Sequence, residues 1–285
     1  MRKLAGITRI DVVVALICVV FIFANVQVFS AAGRGHAKRQ VCMANLRALT
    51  TAWAMYSNDH NGHLPCADVF YSDMEGICMS NQIACEMAGP GWYRWPHPWG
   101  PEWCQPTTAL QNPTEADWKH AIACGSLWPY IRNYNIYRCP VSDNSEYVTY
   151  AIGHAMNAYP GVFAPADWEI YYNYQINLPA ERIVFICQGY TSGGAFGILG
   201  GPNLTGLDPA TNGFWDPPPK RHNNGTTFSF ADGHTGYRKW VDPRTINYPW
   251  GSTTDQTCNQ DMMWLQKAVW GRLGYTPPPG CTPEF

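Results

Sequence analysis

The chain has 285 residues, enough for one large domain or two small ones, and carries a formal charge of −2 with only 14% charged side chains. No basic stripe or acidic block stands out, which excludes the electrostatic footprint of a nucleic-acid partner. The 13 Trp, 16 Tyr and 23 Pro argue against a helical bundle and for a loop-rich, aromatic head.

The chain starts with a short basic leader, Met1-Arg2-Lys3-Leu4-Ala5-Gly6. Ile7-Thr8-Arg9-Ile10-Asp11 follows, then an unbroken apolar run over 12–24. A carboxylate at the mouth of such a run is costly in lipid unless a cation satisfies it. Asp11 therefore suggests a partner, with an interfacial Asp capping the helix start as the alternative. Arg2, Lys3 and Arg9 precede the run, so the positive-inside tendency keeps that end cytoplasmic and sends everything after about residue 32 outside. At roughly 1.5 Å per residue, 7–32 is long enough to cross a bilayer with some tilt. Asn25 and Gln27 near its outer end suit contact between helices better than contact with lipid.

Gly33 and Gly35 each cost a helix about 1 kcal/mol and mark a weak point. Beyond them Leu46, Leu49, Trp53 and Tyr56 recur at three- and four-residue spacing, an apolar helical stripe that Asn61-Gly62 and Pro65 end. The expectation is one continuous helix over 7–60. A signal anchor followed by a separate amphipathic helix is the other reading.

From 64 to 140 the chain is rich in Pro, Gly, Trp and Cys without sustained periodicity, too long for a free loop in a compact domain. There are 11 Cys, of which Cys18 lies in the apolar run. Cys42, Cys66, Cys78, Cys85, Cys104, Cys124, Cys139, Cys187, Cys258 and Cys281 form an even set. With no Cys-x-x-Cys pair a zinc ribbon is not supported. Disulfides in an oxidising compartment fit better, each contributing about 2–4 kcal/mol, and their connectivity stays open. Trp92, Trp95, Trp99 and Trp103 could form an aromatic platform for a sugar or other ligand. A loop using them as its own small core is the preferred reading.

Residues 181–188 read as a buried strand, and 226–231 with 235–241 as a hairpin around Asp232-Gly233. A type I′ turn would set Phe228 opposite Tyr237 and Phe230 opposite Thr235. His222 then lies about 33 Å along an extended strand from the tip, which disfavours a metal site of His222, Asp232 and His234. Its expected place is the surface or the strand entry. Thr253 and Gln256 suggest a capping box for a helix carrying Met262, Leu265, Ala268 and Val269, stopped by Gly271 and Gly274. The chain lacks a Gly-x-Ser-x-Gly elbow, a His-Glu-x-x-His helix and a phosphate-cradling Gly-Lys-Ser/Thr loop, so an enzyme is not expected.

Gly6-Ile7-Thr8-Arg9-Ile10-Asp11-Val12 resembles the processing site of type IV prepilins and type II secretion pseudopilins, with Ile7 in place of the usual Phe, Arg9 in place of an apolar residue and Asp11 in place of Glu. His222 and Asp232-Gly233, with nine residues between them, resemble the His-x9-Asp-Gly segment of a large bacterial group of pseudopilin-like proteins. Residues 42–49, 56–65 and 138–143, with Tyr150 and Asn157, are similar to the same group. The resemblance implies cleavage after Gly6 by a prepilin peptidase, methylation of the Ile7 amine, and pairing of that amine with Asp11 during assembly. It implies an α+β, pilin-like fold: a long N-terminal helix, transmembrane over 7–32, packed on an antiparallel sheet with a disulfide-rich insertion at 64–140. The head over 61–285 would be extracytoplasmic, on a single-pass protein of the bacterial inner membrane. Its role would be that of a structural subunit or accessory of a secretion or pilus-like filament, with other pilin subunits as partners. Cys42 and Cys139, both in family-like islands, become the expected disulfide. No cofactor is expected; some relatives carry calcium in a head loop, but no Asp-rich run here matches it. The alternative function is a membrane-anchored binding protein that captures a glycan or surface partner without polymerising.

Overall fold

A computed structural model of the chain describes residues 9–67, 103–104, 114–143, 145–189, 195–249, 251 and 254–281, with backbone alone for 22–32. Gly6, Ile7, Trp92, Trp95, Trp99 and Thr253 lie outside the described residues. The chain divides into two compact units, Met1–Gln40 and Val41–Phe285. Helix α1 is assigned over Arg9–Asp59 and so contributes to both.

In the first unit the described side chains of α1 face outward; Ile10 is 74% and Phe21 71% exposed. Here the pilin-like expectation is corrected. Among the described residues no helix is long and apolar enough to cross a membrane.

The second unit is a three-layer α/sheet/α sandwich. Its sheet has the order β3-β1-β2-β4-β5, formed by β1 (Tyr150–Gly153), β2 (Ile183–Cys187), β3 (Ala195–Phe196), β4 (Gly225–Phe230) and β5 (Thr235–Lys239). A second correction follows: β1 pairs parallel to β3, so the sheet is mixed rather than antiparallel. Both faces are covered, which is why β2 reads as a continuous apolar run, Ile-Val-Phe-Ile-Cys, with every residue buried.

One face packs on the part of α1 that lies in this unit. Cys42, Leu46, Leu49, Trp53 and Tyr56 form its buried stripe against Tyr150, Ile152, Val184, Phe185 and Cys187. Each large apolar side chain so buried contributes about 1.5–3 kcal/mol. Strand β4 alternates cleanly. Ser229 accepts a 2.6 Å hydrogen bond from Thr50 on α1, and Phe228 and Phe230 face the other layer. In β2 a register shift between Ile183 and Phe185 breaks the alternation, placing Val184 and Phe185 in the same core.

The opposite face carries α5 (Gln260–Trp270), with Met262, Leu265, Val269 and Trp270 packed on Ile183, Ile186 and Phe228. Its N-cap is Asn259, whose Oδ1 accepts from the backbone N–H of Asp261 and Met262; Gly271, at φ 75°, ends it.

The insertion is described only in part. Its described parts supply α2 (Glu115–Ala123), α3 (Trp128–Ile131) and core residues such as Trp103; Cys78 and Cys85 lie outside the described residues. Among the described residues, a disulfide joins Cys258 to Cys281 and closes the C-terminal segment.

The hairpin is one residue out of the expected register. Thr227 pairs with Tyr237, Phe228 with Gly236 and Ser229 with Thr235. Gly233 N–H donates to Phe230 O and Phe230 N–H to His234 O, and Gly233 takes φ 91°. That is a three-residue loop with a glycine bulge, not a two-residue type I′ turn, and the extra residue shifts every pair.

Candidate metal centre

Four side chains from four separate stretches meet at one end of the sandwich: Cys42, Cys139, Cys187 and His222. Cys42 opens the buried stripe of α1. Cys139 follows a 3-10 turn, Tyr134–Tyr137, and its position is fixed twice. Asn45 on α1 donates to Arg138 O at 3.0 Å, and Cys139 N–H donates to Thr149 Oγ1 at 2.6 Å. Cys187 is the last residue of β2, where Thr226 of β4 donates its hydroxyl to Cys187 O at 2.6 Å.

His222 sits in the turn that enters β4. Asn223 and Asn224 both take positive φ (55° and 56°), the left-handed region that Asn tolerates better than most residues. His222 N–H closes the turn on Gly225 O at 3.1 Å, and Tyr237 donates to His222 O at 2.9 Å.

The four ligand atoms all lie within 4.8 Å of one another. His222 Nε2 is 3.4 Å from Cys139 Sγ and 3.7 Å from Cys187 Sγ. Cys42 Sγ contacts Thr227 Oγ1 at 3.1 Å and accepts from Tyr150 OH at 3.4 Å. All three cysteines are fully buried and His222 is 5% exposed.

The electrostatics of the cluster are uneven. Hydrogen bonds from the Cys187 and Cys42 thiols pull the Cys139 thiol far below its ordinary range despite burial. Burial pushes Cys42 up to about 12 and Cys187 well above its usual value. Ionised sulfur in such a core is expensive unless a cation compensates it. Arg221, next in sequence to His222, is already engaged: its guanidinium grips Glu146 through two nitrogens and donates to Gln188 O and Gly189 O.

Three sulfurs and an imidazole nitrogen are soft to borderline donors, suited to zinc and unsuited to calcium or magnesium, which require oxygen. Four protein ligands leave no coordination position for water or substrate, the arrangement of a structural rather than a catalytic ion.

Among the other candidate residues, Cys42 and Cys139 do meet, but neither is disulfide-bonded. Asp232 and Gly233 stand at the hairpin tip, beyond the far end of β4 from His222, with Asp232 2.6 Å from the His234 ring. Trp103 is fully buried and stacks on Tyr137 at 6.0 Å with planes 9° apart. Asp11 lies in the first turn of α1. Cys187 is the ligand that sequence reasoning did not single out. Its signal was there, as a cysteine closing an otherwise aliphatic buried strand.

Comparisons with protein families, curated proteins and solved structures find no match for this chain.

Proposed function

We propose that the chain is a structural subunit of a pseudopilin-like assembly, docking through the apolar start of α1 onto the same segment of other copies. The observation that carries this reading is the surface of that segment. Ile10, Val13, Leu16, Ile17, Val20 and Phe21 are each more than half exposed. A contiguous apolar surface of this kind is rare on a solitary soluble protein and marks an interaction site. The prepilin-like sequence at Gly6-Ile7 supports the same reading, because cleavage there frees an amine four residues before Asp11. Pairing of that amine with Asp11 of a neighbour would neutralise both charges in apolar surroundings. Prepilin peptidase is then the processing partner. No reaction is assigned to the head.

Cys18 lies exposed on this segment and provides a native handle. Treating cells with a short bismaleimide should give a ladder of multimers, and the mature chain should begin at a methylated Ile7. A chain that keeps residues 1–6 and stays monomeric under cross-linking would refute the proposal.

A further inference from the structure

We infer that Cys42, Cys139, Cys187 and His222 bind one Zn²⁺, and that this ion joins α1 to the sheet. The inference goes beyond the assembly role and holds whether or not the subunit polymerises.

Distance is the first argument. A tetrahedral zinc with Zn–S of about 2.3 Å and Zn–N of about 2.0–2.1 Å sets its donors roughly 3.6–3.8 Å apart. The contacts of His222 Nε2 with the Cys139 and Cys187 sulfurs, 3.4 and 3.7 Å, already match, and no pair exceeds 4.8 Å. A two-iron cluster would spread four ligands over a larger volume.

The second argument is the state of the donors. Buried thiols are only weak hydrogen-bond donors, so three of them gathered around one buried imidazole gain little from one another. A divalent cation changes this: it takes all three sulfurs as thiolates, releases their protons to solvent and neutralises most of the resulting charge. The Thr227 and Tyr150 hydroxyls at Cys42 Sγ are then placed as donors to a metal-bound thiolate, the outer support such ligands usually have.

A Cys42–Cys139 disulfide is the competing arrangement. It would leave Cys187 and His222 buried at the same point with nothing to hold. The four-ligand centre uses every donor.

The test is metal analysis of the full-length chain purified without chelator, together with non-reducing peptide mapping of its cysteines. About one zinc per chain, with Cys42, Cys139 and Cys187 all unoxidised, is the expected result. Replacing zinc by Co²⁺ should give the visible absorption bands and intense sulfur-to-metal charge transfer of a tetrahedral thiolate site. C187S should retain less than a tenth of the metal, and H222C, which keeps four soft ligands, should retain it in full. If C187S does not fold, the wild-type metal content and the H222C variant decide. A folded chain free of metal, a Cys42–Cys139 disulfide found by non-reducing peptide mapping, stoichiometric iron in place of zinc, or zinc undiminished in a folded C187S would each overturn the inference.

Discussion

His222 Nε2 lies 3.4 Å from Cys139 Sγ, although the two residues are 83 positions apart. Cys187, 35 positions before His222, completes the same contact at 3.7 Å. A link between such distant segments restricts the unfolded chain strongly, and metal-binding energy at a site that exists only in the fold is folding energy. Stripping the chain with a strong chelator under reducing conditions should therefore lower its midpoint of thermal unfolding by on the order of 10 °C, equivalent to a few kcal/mol. Added zinc should restore the midpoint; calcium and magnesium should not. Calorimetry with and without chelator checks this, and an unchanged midpoint would remove the stabilising role.

The α1 stripe makes a separate prediction about packing. Leu49 is fully buried between α1 and the sheet, whereas Arg47, two residues earlier, is exposed. Leu49→Ala should destabilise the head by about 2–5 kcal/mol through lost transfer energy and the cavity left behind. Arg47→Ala should stay within about 0.5 kcal/mol. Denaturant unfolding measures both. Equal effects at the two positions would mean that this part of α1 does not pack as described.

Much of this architecture could be read from residue order, and what could not has a physical cause. The stripe of Leu46, Leu49, Trp53 and Tyr56, the strand at Ile183–Cys187 and the hairpin around Asp232-Gly233 follow from local periodicity and turn chemistry, which act within a few residues. The parallel pairing of β1 with β3 is a tertiary choice with no local signature. The hairpin register depended on whether Ala231 belonged to the strand or to the loop, a one-residue question that alternation alone does not settle. The metal ligands were hidden for a related reason. Zinc motifs are recognised when pairs of ligands share one turn, and here each ligand comes from a different stretch. His222 and Asp232-Gly233 drew attention as one motif, yet the fold sends them to opposite ends of β4, and only His222 reaches the cysteines.

At the hairpin tip the cost of a substitution is conformational alone. A Cβ at Gly233 would meet nothing within 4 Å, but the residue holds φ 91°. Gly233→Ala should cost about 1–2 kcal/mol from the left-handed backbone. Gly236→Ala, whose Cβ would meet only Phe230 at 3.4 Å, is the control and should cost less than about 0.5 kcal/mol. If both variants unfold at the wild-type denaturant midpoint, the glycine bulge is not the turn the chain uses.

Asp242 provides the pH test. It caps α4 (Pro243–Ile246) by accepting from the Arg244 N–H at 2.8 Å, and its other oxygen pairs with the Arg244 guanidinium at 2.7 Å. Partial burial pushes the carboxyl up, but the side-chain and backbone bonds from Arg244 outweigh it and hold the group below its usual 3.8. A carboxyl whose folded value is depressed contributes stability that is complete above its unfolded value, about 3.9, and is lost as pH falls through the lower folded value. Asp242→Asn keeps a good capping side chain and removes only the charge. Because the Arg244 side chain is 36% exposed, water screens the pair and the deficit of this variant at pH 7 should be about 0.2–1 kcal/mol. That deficit should hold down to about pH 5 and close as the pH drops below 4, since the wild-type carboxylate then becomes protonated and loses the same ion pair. Unfolding free energies of the two proteins between pH 2 and 7 measure the gap. A gap that is constant across that range would show that the Asp242–Arg244 charge pairing contributes nothing and that the cap alone holds the turn.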